Sequence, residues 1–259
     1  MFNDNPDILA LDFDGVICDG LAEYFTSTKK AYQQIWSEPI DDSLEPSFYR
    51  LRPVIETGWE MPILLRALAL GIAETEIIDK FRAIAYQITM SEGLTKQEVV
   101  QKLDGVRDDW IEHNLADWLK LHRFYPGTIE RLRQILASKI ELYIVTTKEG
   151  RFVKQLLQQQ GVDIAETQII GKESKRPKYE TLRILRDRHR QSEIDPQIFF
   201  VEDRLKALQQ VAQQQDLSSV SLFLADWGYN LEGDRRLAAS DGRIELLSLD
   251  RFCQSFATD

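Results

Sequence analysis

The chain has 259 residues, 43% of them hydrophobic and 29% charged, with a formal net charge of −10. That length suits one large domain or a core domain with an insertion, the composition is globular, and the acidic balance argues against nucleic-acid and anionic-membrane partners. Two cysteines, Cys18 and Cys253, make no disulfide framework, the leading MFNDNPD carries no basic leader, and no stretch could span a bilayer, so a cytoplasmic location is expected. The first element is a strand over residues 8–13, apolar up to Asp12-Phe13-Asp14-Gly15. Residues 21–36, 62–70, 74–90 and 96–119 then carry helical spacing with few strand signals. Pro39, Pro46 and Pro53 interrupt the stretch between the first two. This segment is far longer than an ordinary strand-to-helix crossover. It reads as an inserted helical domain, residues 18–123, within an α/β core of residues 1–17 plus 124–259. Strands over 140–146, 167–170, 198–202, 220–225 and, more weakly, 244–247 follow. They alternate with helices over 128–137, 151–160, 179–190 and 205–215. Continuous apolar runs indicate strands covered on both faces, hence a doubly wound parallel α/β sheet. Ligands of such sheets bind beyond the carboxyl ends of the strands, where Asp12, Thr146 and Asp203 fall. The point of insertion is expected to set the helical domain over that edge.

Asp12 and Asp14 cannot both serve one substrate from a regular strand, because its pleat would point them to opposite faces. Gly15 lets the backbone leave the strand sharply, so that Asp14 can return beside Asp12. Later in the chain, Thr146 ends a strand in LYIVTTKEG, Lys178 stands in GKESKRPKYETL before a helix, and Glu202-Asp203 end a strand in FFVEDRL. These four elements, in this order and with Lys178 some 25 residues before Asp203, resemble the motifs of the haloacid dehalogenase-like hydrolase superfamily, most of whose members are phosphatases.

The resemblance covers the α/β core and implies a Rossmann-like sheet with a helical cap inserted after the first motif. It also implies a Mg²⁺-dependent phosphatase acting on a small phosphorylated metabolite, with phosphoglycolate as a first candidate. Asp12 is then the nucleophile, giving an acyl phosphate that water cleaves. Asp14 is the general acid and base, while Thr146 and Lys178 hold the phosphoryl oxygens. Mg²⁺ would take oxygen ligands from Asp12, the backbone carbonyl of Asp14, Asp203 and Glu202. Glu202 departs from the commoner Gly or Asp, which leaves it either a ligand or an orienter of water. Gly15, Thr147 and Arg52 are expected on the substrate side, and Asp19 in a structural role. Lys172, Lys175 and Arg176 compete with Lys178 for the phosphate. Lys148, just after Thr146 and Thr147, could reach a substrate but is expected rather at the surface, Cys18 as a small buried hydrophobe, and the three histidines as structural or surface residues. The segment LADWGYNLEGDRR reads equally as a pocket edge or a packed loop. A sugar-phosphate mutase shares all four motifs, and a non-catalytic regulatory protein could keep the fold; both remain alternatives. The sequence leaves the oligomeric state open.

Overall fold

The computed structural model describes residues 5–191 and 194–254; residues 1–4, on which part of the leader reading rests, lie outside the described residues. The chain forms two compact units, residues 1–19 with 124–259, and residues 20–123.

The first unit is built on β1 (Ile8–Leu11), whose four residues are all buried. A two-residue strand, β2 (Cys18–Asp19), follows. The second unit supplies α1 (Leu21–Trp36), α2 (Glu45–Leu51), α3 (Glu60–Ala69), α4 (Glu74–Ser91) and α5 (Lys96–Leu119). The chain then continues through β3 (Arg123–Phe124), α6 (Thr128–Leu136), β4 (Glu141–Val145), α7 (Gly150–Gln159), β5 (Ile169–Ile170) and α8 (Lys178–His189). It ends in β6 (Ile198–Glu202), α9 (Leu205–Ala212), β7 (Ser221–Ala225), α10 (Glu232–Ser240), β8 (Ile244–Leu247) and α11 (Leu249–Gln254).

Six strands form one sheet in the order β5-β4-β1-β6-β7-β8, and every pairing in it is parallel. This is the doubly wound α/β architecture that continuous apolar strands demand, since a parallel sheet needs helices on both faces. Alternate residues of the central strands, including Ile8, Ala10, Ile198, Phe200, Leu222 and Leu224, pack in one cluster with Leu182 and Leu185 of α8 and Leu208 of α9. The intervening residues Leu9, Leu11, Ile144, Phe199 and Val201 are buried on the other face. β1 is the point where strand order reverses, with β4 on one side and β6 on the other. Crevices beyond the carboxyl ends of such strands are where doubly wound sheets bind ligands.

The second unit is entirely helical apart from short 3₁₀ turns. Phe25 meets Phe48 edge-on with ring centroids 5.5 Å apart, in a core that includes Leu51, Ile63, Leu64 and Leu65. Its α5 starts with a capping box: the Thr95 hydroxyl accepts from Glu98 N (3.2 Å), and Thr95 N donates to the Glu98 carboxylate (2.8 Å). Glu23 on α1 is buried, and its carboxylate accepts from Arg107 Nε (2.8 Å), Trp118 Nε1 (3.1 Å) and Ser27 Oγ (2.6 Å). Full satisfaction of this kind is what makes a buried carboxylate tolerable. Among the described residues no helix is long and apolar enough to cross a membrane.

Candidate active site

Asp12 stands directly after β1, its N–H still donating to Val201 O of β6 (2.9 Å). The chain then turns on itself. Phe13 O accepts from the N–H groups of Ile17 and Cys18, each at 2.9 Å, and Gly15 takes φ 84°. That left-handed backbone is open to glycine without the clash a Cβ brings. The turn breaks the alternation of the strand, so the carboxylates of Asp12 and Asp14 are no longer bound to opposite faces.

Asp12 Oδ1 accepts from Phe13 N (2.7 Å), and Oδ2 pairs with Lys178 Nζ at 2.9 Å. Lys178 opens α8 and reaches a second carboxylate, Glu202 Oε2, at 2.6 Å. Glu202 ends β6 and is fully buried; its other oxygen accepts from Arg204 N (3.1 Å). Asp203, next in sequence and also buried, completes a group in which ligand oxygens of Asp12, Glu202 and Asp203 all lie within 4.8 Å of one another. Thr146 follows β4 and is buried, its N–H donating to Ile170 O (3.0 Å) and its hydroxyl accepting from Lys148 N (3.2 Å). Four of these residues thus come from the carboxyl ends of the adjacent strands β4, β1 and β6, and Lys178 from the first turn of a helix.

Charge in this cluster is unbalanced. Three buried carboxylates face the Lys178 ammonium, and the Arg204 guanidinium acts on Asp203 as a further cation. Burial, then the neighbouring Glu202, pushes the Asp12 carboxyl up to about 7 despite the opposing pull of Lys178. Burial and Asp12 push Asp203 up to about 6, and burial raises Glu202 as well. For Lys178, burial works against the charge, but Asp12 and Glu202 outweigh it and hold the ammonium above its ordinary range. Carboxyls raised in this way mark a place short of positive charge. The donor set is oxygen only, anionic and compact, which fits a hard divalent cation.

Asp14 is not part of that group. Its carboxylate pairs with Lys148 Nζ, at 3.2 Å and 3.4 Å to its two oxygens. The sequence reading put Lys148 at the surface; instead its side chain is only 9% exposed. No local signal could reveal this, because the partner lies 134 residues earlier in the chain.

The loop after β7 also enters the site. Tyr229 N donates to Asp203 Oδ2 (2.7 Å), Asn230 Nδ2 donates to Asp203 O (3.1 Å), and Trp227 Nε1 donates to Val16 O (3.1 Å). The Tyr229 hydroxyl donates to Asp19 (2.9 Å). A Cβ on Gly228 would lie 2.3 Å from Asp203 Cβ and 2.5 Å from Gly15 O, and one on Gly15 would lie 2.1 Å from Asp203 Oδ2. The two glycines therefore flank Asp203 so closely that no larger residue fits. This loop braces Asp203 and the Asp14–Asp19 turn, a role that sequence reasoning did not assign to Gly228, Tyr229 or Asn230.

Thr147 is exposed beside Thr146. Arg52 belongs to the helical unit, where its guanidinium lies over the Tyr24 ring (5.0 Å) and donates to Ile55 O (3.3 Å). Cys18 is fully buried. Of the histidines, His113 is exposed, His122 is buried against Trp118, and His189 meets the Tyr143 hydroxyl at 2.8 Å.

The family model of the haloacid dehalogenase-like hydrolases matches residues 6–209. The chain belongs to this family. Among solved structures, it is similar to a predicted phosphoglycolate phosphatase from Haemophilus somnus, with 16% identity, TM-score 0.61 and coverage of 97% of this chain and 96% of the other. It is similar also to a predicted phosphatase from Clostridium acetobutylicum (13% identity, TM-score 0.59, 97% and 98% covered). A third is a haloacid dehalogenase-like family protein from Streptococcus pneumoniae (14% identity, TM-score 0.56, 93% of each chain). At these identities the likeness is one of fold. No curated protein sequence matches the chain. The hydrolase family's core and the buried acidic cluster thus meet at the same edge of the sheet.

Proposed function

We propose that this hydrolase is a Mg²⁺-dependent phosphomonoesterase that acts on a small phosphorylated metabolite through an aspartyl-phosphate intermediate. The observation that carries the reading is the buried cluster in which Lys178 joins Asp12 to Glu202, with Asp203 alongside and Thr146 at the end of the neighbouring strand. An attacking carboxylate, a phosphoryl-holding ammonium and hydroxyl, and a cation-binding pair of acids are the parts that phosphoryl transfer to an acid requires.

Asp12, Asp203 and the backbone carbonyl of Asp14 would hold Mg²⁺, which when bound offsets the repulsion between phosphate and carboxylates. An Asp12 carboxylate oxygen attacks phosphorus, and the ester oxygen leaves. Asp14 gives that oxygen its proton. Lys178 and the Thr146 hydroxyl hold the transferring oxygens, Lys178 as the charged donor and Thr146 as a neutral one. Water then attacks phosphorus while Asp14 takes its proton, releasing inorganic phosphate and restoring Asp12. Lys148 positions the Asp14 carboxylate, and Glu202 positions Lys178. The helical unit is read as the cap inserted after the first motif, and Arg52 within it as a candidate substrate-binding residue. Names of structural relatives favour phosphoglycolate as a first substrate to try.

The direct test is hydrolysis of an aryl phosphate by the whole protein with Mg²⁺. Turnover is expected, with a loss of several orders of magnitude in Asp12→Asn. A well-folded wild-type protein without turnover sinks the phosphatase reading.

A further inference from the structure

A cavity of about 180 Å³ opens in the core unit, and its lining includes Thr146, Lys178 and, from the loop after β5, Lys172, Ser174, Lys175 and Arg176. Among the described residues its charged lining is Lys172, Lys175, Arg176 and Lys178, in a chain whose net charge is −10; of these, Lys178 is already engaged by Asp12 and Glu202. Lys172, Lys175 and Arg176 therefore make the local positive excess of this wall, and a concave site lined by one sign of charge favours ligands of the opposite sign.

The loop is built to keep that excess. Its sequence GKESKR contains one acid, Glu173, whose carboxylate accepts from the N–H of Gly150 at the start of α7 (3.2 Å) and lies beside Gly171. Lys172 N donates to Lys148 O (2.9 Å). A Cβ on Gly171 would lie 2.5 Å from Gly150 N, so the loop is pressed flat on the segment that follows β4. Lys175 then adopts φ 52°, a backbone that a lysine rarely takes, at the end of the short 3₁₀ turn. Strain of this kind persists where surrounding contacts fix the conformation.

We propose that this cavity is a second-anion subsite, and that the preferred substrate is a phosphomonoester bearing a further anionic group, a carboxylate or a second phosphate, a few atoms from the ester. The proposal rests on the phosphatase reading: phosphate is held at Thr146 and Lys178, and the second anion reaches Lys172, Lys175 and Arg176. Selectivity then resides partly in the core unit itself. One charge-assisted contact is worth about tenfold or more in binding.

The test compares kcat/KM for propyl phosphate, 2-carboxyethyl phosphate and propane-1,3-diol bisphosphate, using the whole protein with Mg²⁺ at low ionic strength. At least one of the two-anion esters should exceed propyl phosphate by about tenfold, and which one does so identifies the second group as carboxylate or phosphate. In Lys175→Asn/Arg176→Gln, with asparagine chosen because it tolerates the left-handed backbone, that ratio should fall to about twofold or less. A wild-type ratio near one, or a high ratio that survives in the double variant, overturns the subsite alone. Failure to hydrolyse every ester, an aryl phosphate included, overturns the phosphatase reading and the subsite with it.

Discussion

Replacing Lys178 with methionine removes one charge and keeps an unbranched stem. The lost ammonium sits 2.9 Å from Asp12 Oδ2 and 2.6 Å from Glu202 Oε2, with both acids buried and Asp203 beside them. Taking one partner from a buried ion pair costs about 3–5 kcal/mol, because the remaining charge is neither solvated nor paired. The acids can escape that cost by binding protons. In the intact metal-free protein Asp12 already titrates at about 7 and Asp203 at about 6, against 3.8 for an unperturbed carboxyl. The folded state therefore holds more protons than the unfolded state across that window. The stability these carboxyls contribute is full below the unfolded value and is lost as pH rises through the folded one. Without Lys178, Asp12 and Glu202 lose the partner that lowers them, and the penalty grows on the alkaline side. Urea unfolding of metal-free protein should show a loss of about 3–5 kcal/mol at about pH 8, shrinking to about 1 kcal/mol at about pH 5. An equal loss at both pH values, or none, would refute the argument from unbalanced buried charge.

Gly228→Ala forces a methyl to within 2.3 Å of Asp203 Cβ, so either the brace loop or Asp203 must move; a melt should show about 1–3 kcal/mol of destabilisation together with lost activity, and a variant that melts and turns over normally contradicts the packing. Chelation by EDTA should abolish activity, and Mg²⁺ at about a hundredfold excess over its dissociation constant should add about 2.7 kcal/mol to stability in the intact protein. At one fixed Mg²⁺ concentration the gain should be larger at about pH 8 than at about pH 5 and smaller in Asp203→Asn, because the dissociation constant changes, a difference that calorimetric titration reads directly. Asp14→Asn should slow hydrolysis of an alkyl phosphate far more than of an aryl phosphate, whose leaving oxygen needs less protonation. Lys148→Met should follow the same leaving-group trend to a smaller extent, and a loss equal for all esters would remove Lys148 from the positioning of Asp14.

The parallel core was legible because its strands are short, apolar on both faces and bounded by helices, as in IFFVE of β6. Asp12, Thr146 and Asp203 were legible as strand-end residues, since strand ends can be read from where an apolar run stops. Elements without an apolar period escaped. α10 buries Ala238 alone, so EGDRRLAAS shows no inward face. α2 was read as broken at Pro46, yet proline in the first turn of a helix removes no intrahelical bond. The run 167–170 looked like a full strand, but a 3₁₀ turn over Glu166–Gln168 leaves only Ile169–Ile170 at the sheet edge. Pairings between distant residues were the least visible. Nothing near Lys148 announces Asp14, and nothing in Asp-Trp-Gly-Tyr-Asn announces that the Tyr229 N–H and the Asn230 side chain will hold Asp203. Side-chain chemistry at a strand end is local information, whereas the partners that orient it are set by topology.

Nucleophilic attack by Asp12 is the claim on which the mechanism stands. It is tested most directly by mixing the Mg²⁺-loaded protein with an ester carrying a radiolabelled phosphoryl group, quenching with acid within a single turnover, and mapping the label by peptide digestion. The label should reside on the peptide containing Asp12, be released by hydroxylamine as an acyl phosphate must be, and be absent in Asp12→Asn. Release of labelled inorganic phosphate at the full rate with no label on the protein at any quench time, or label on a different residue, would contradict it.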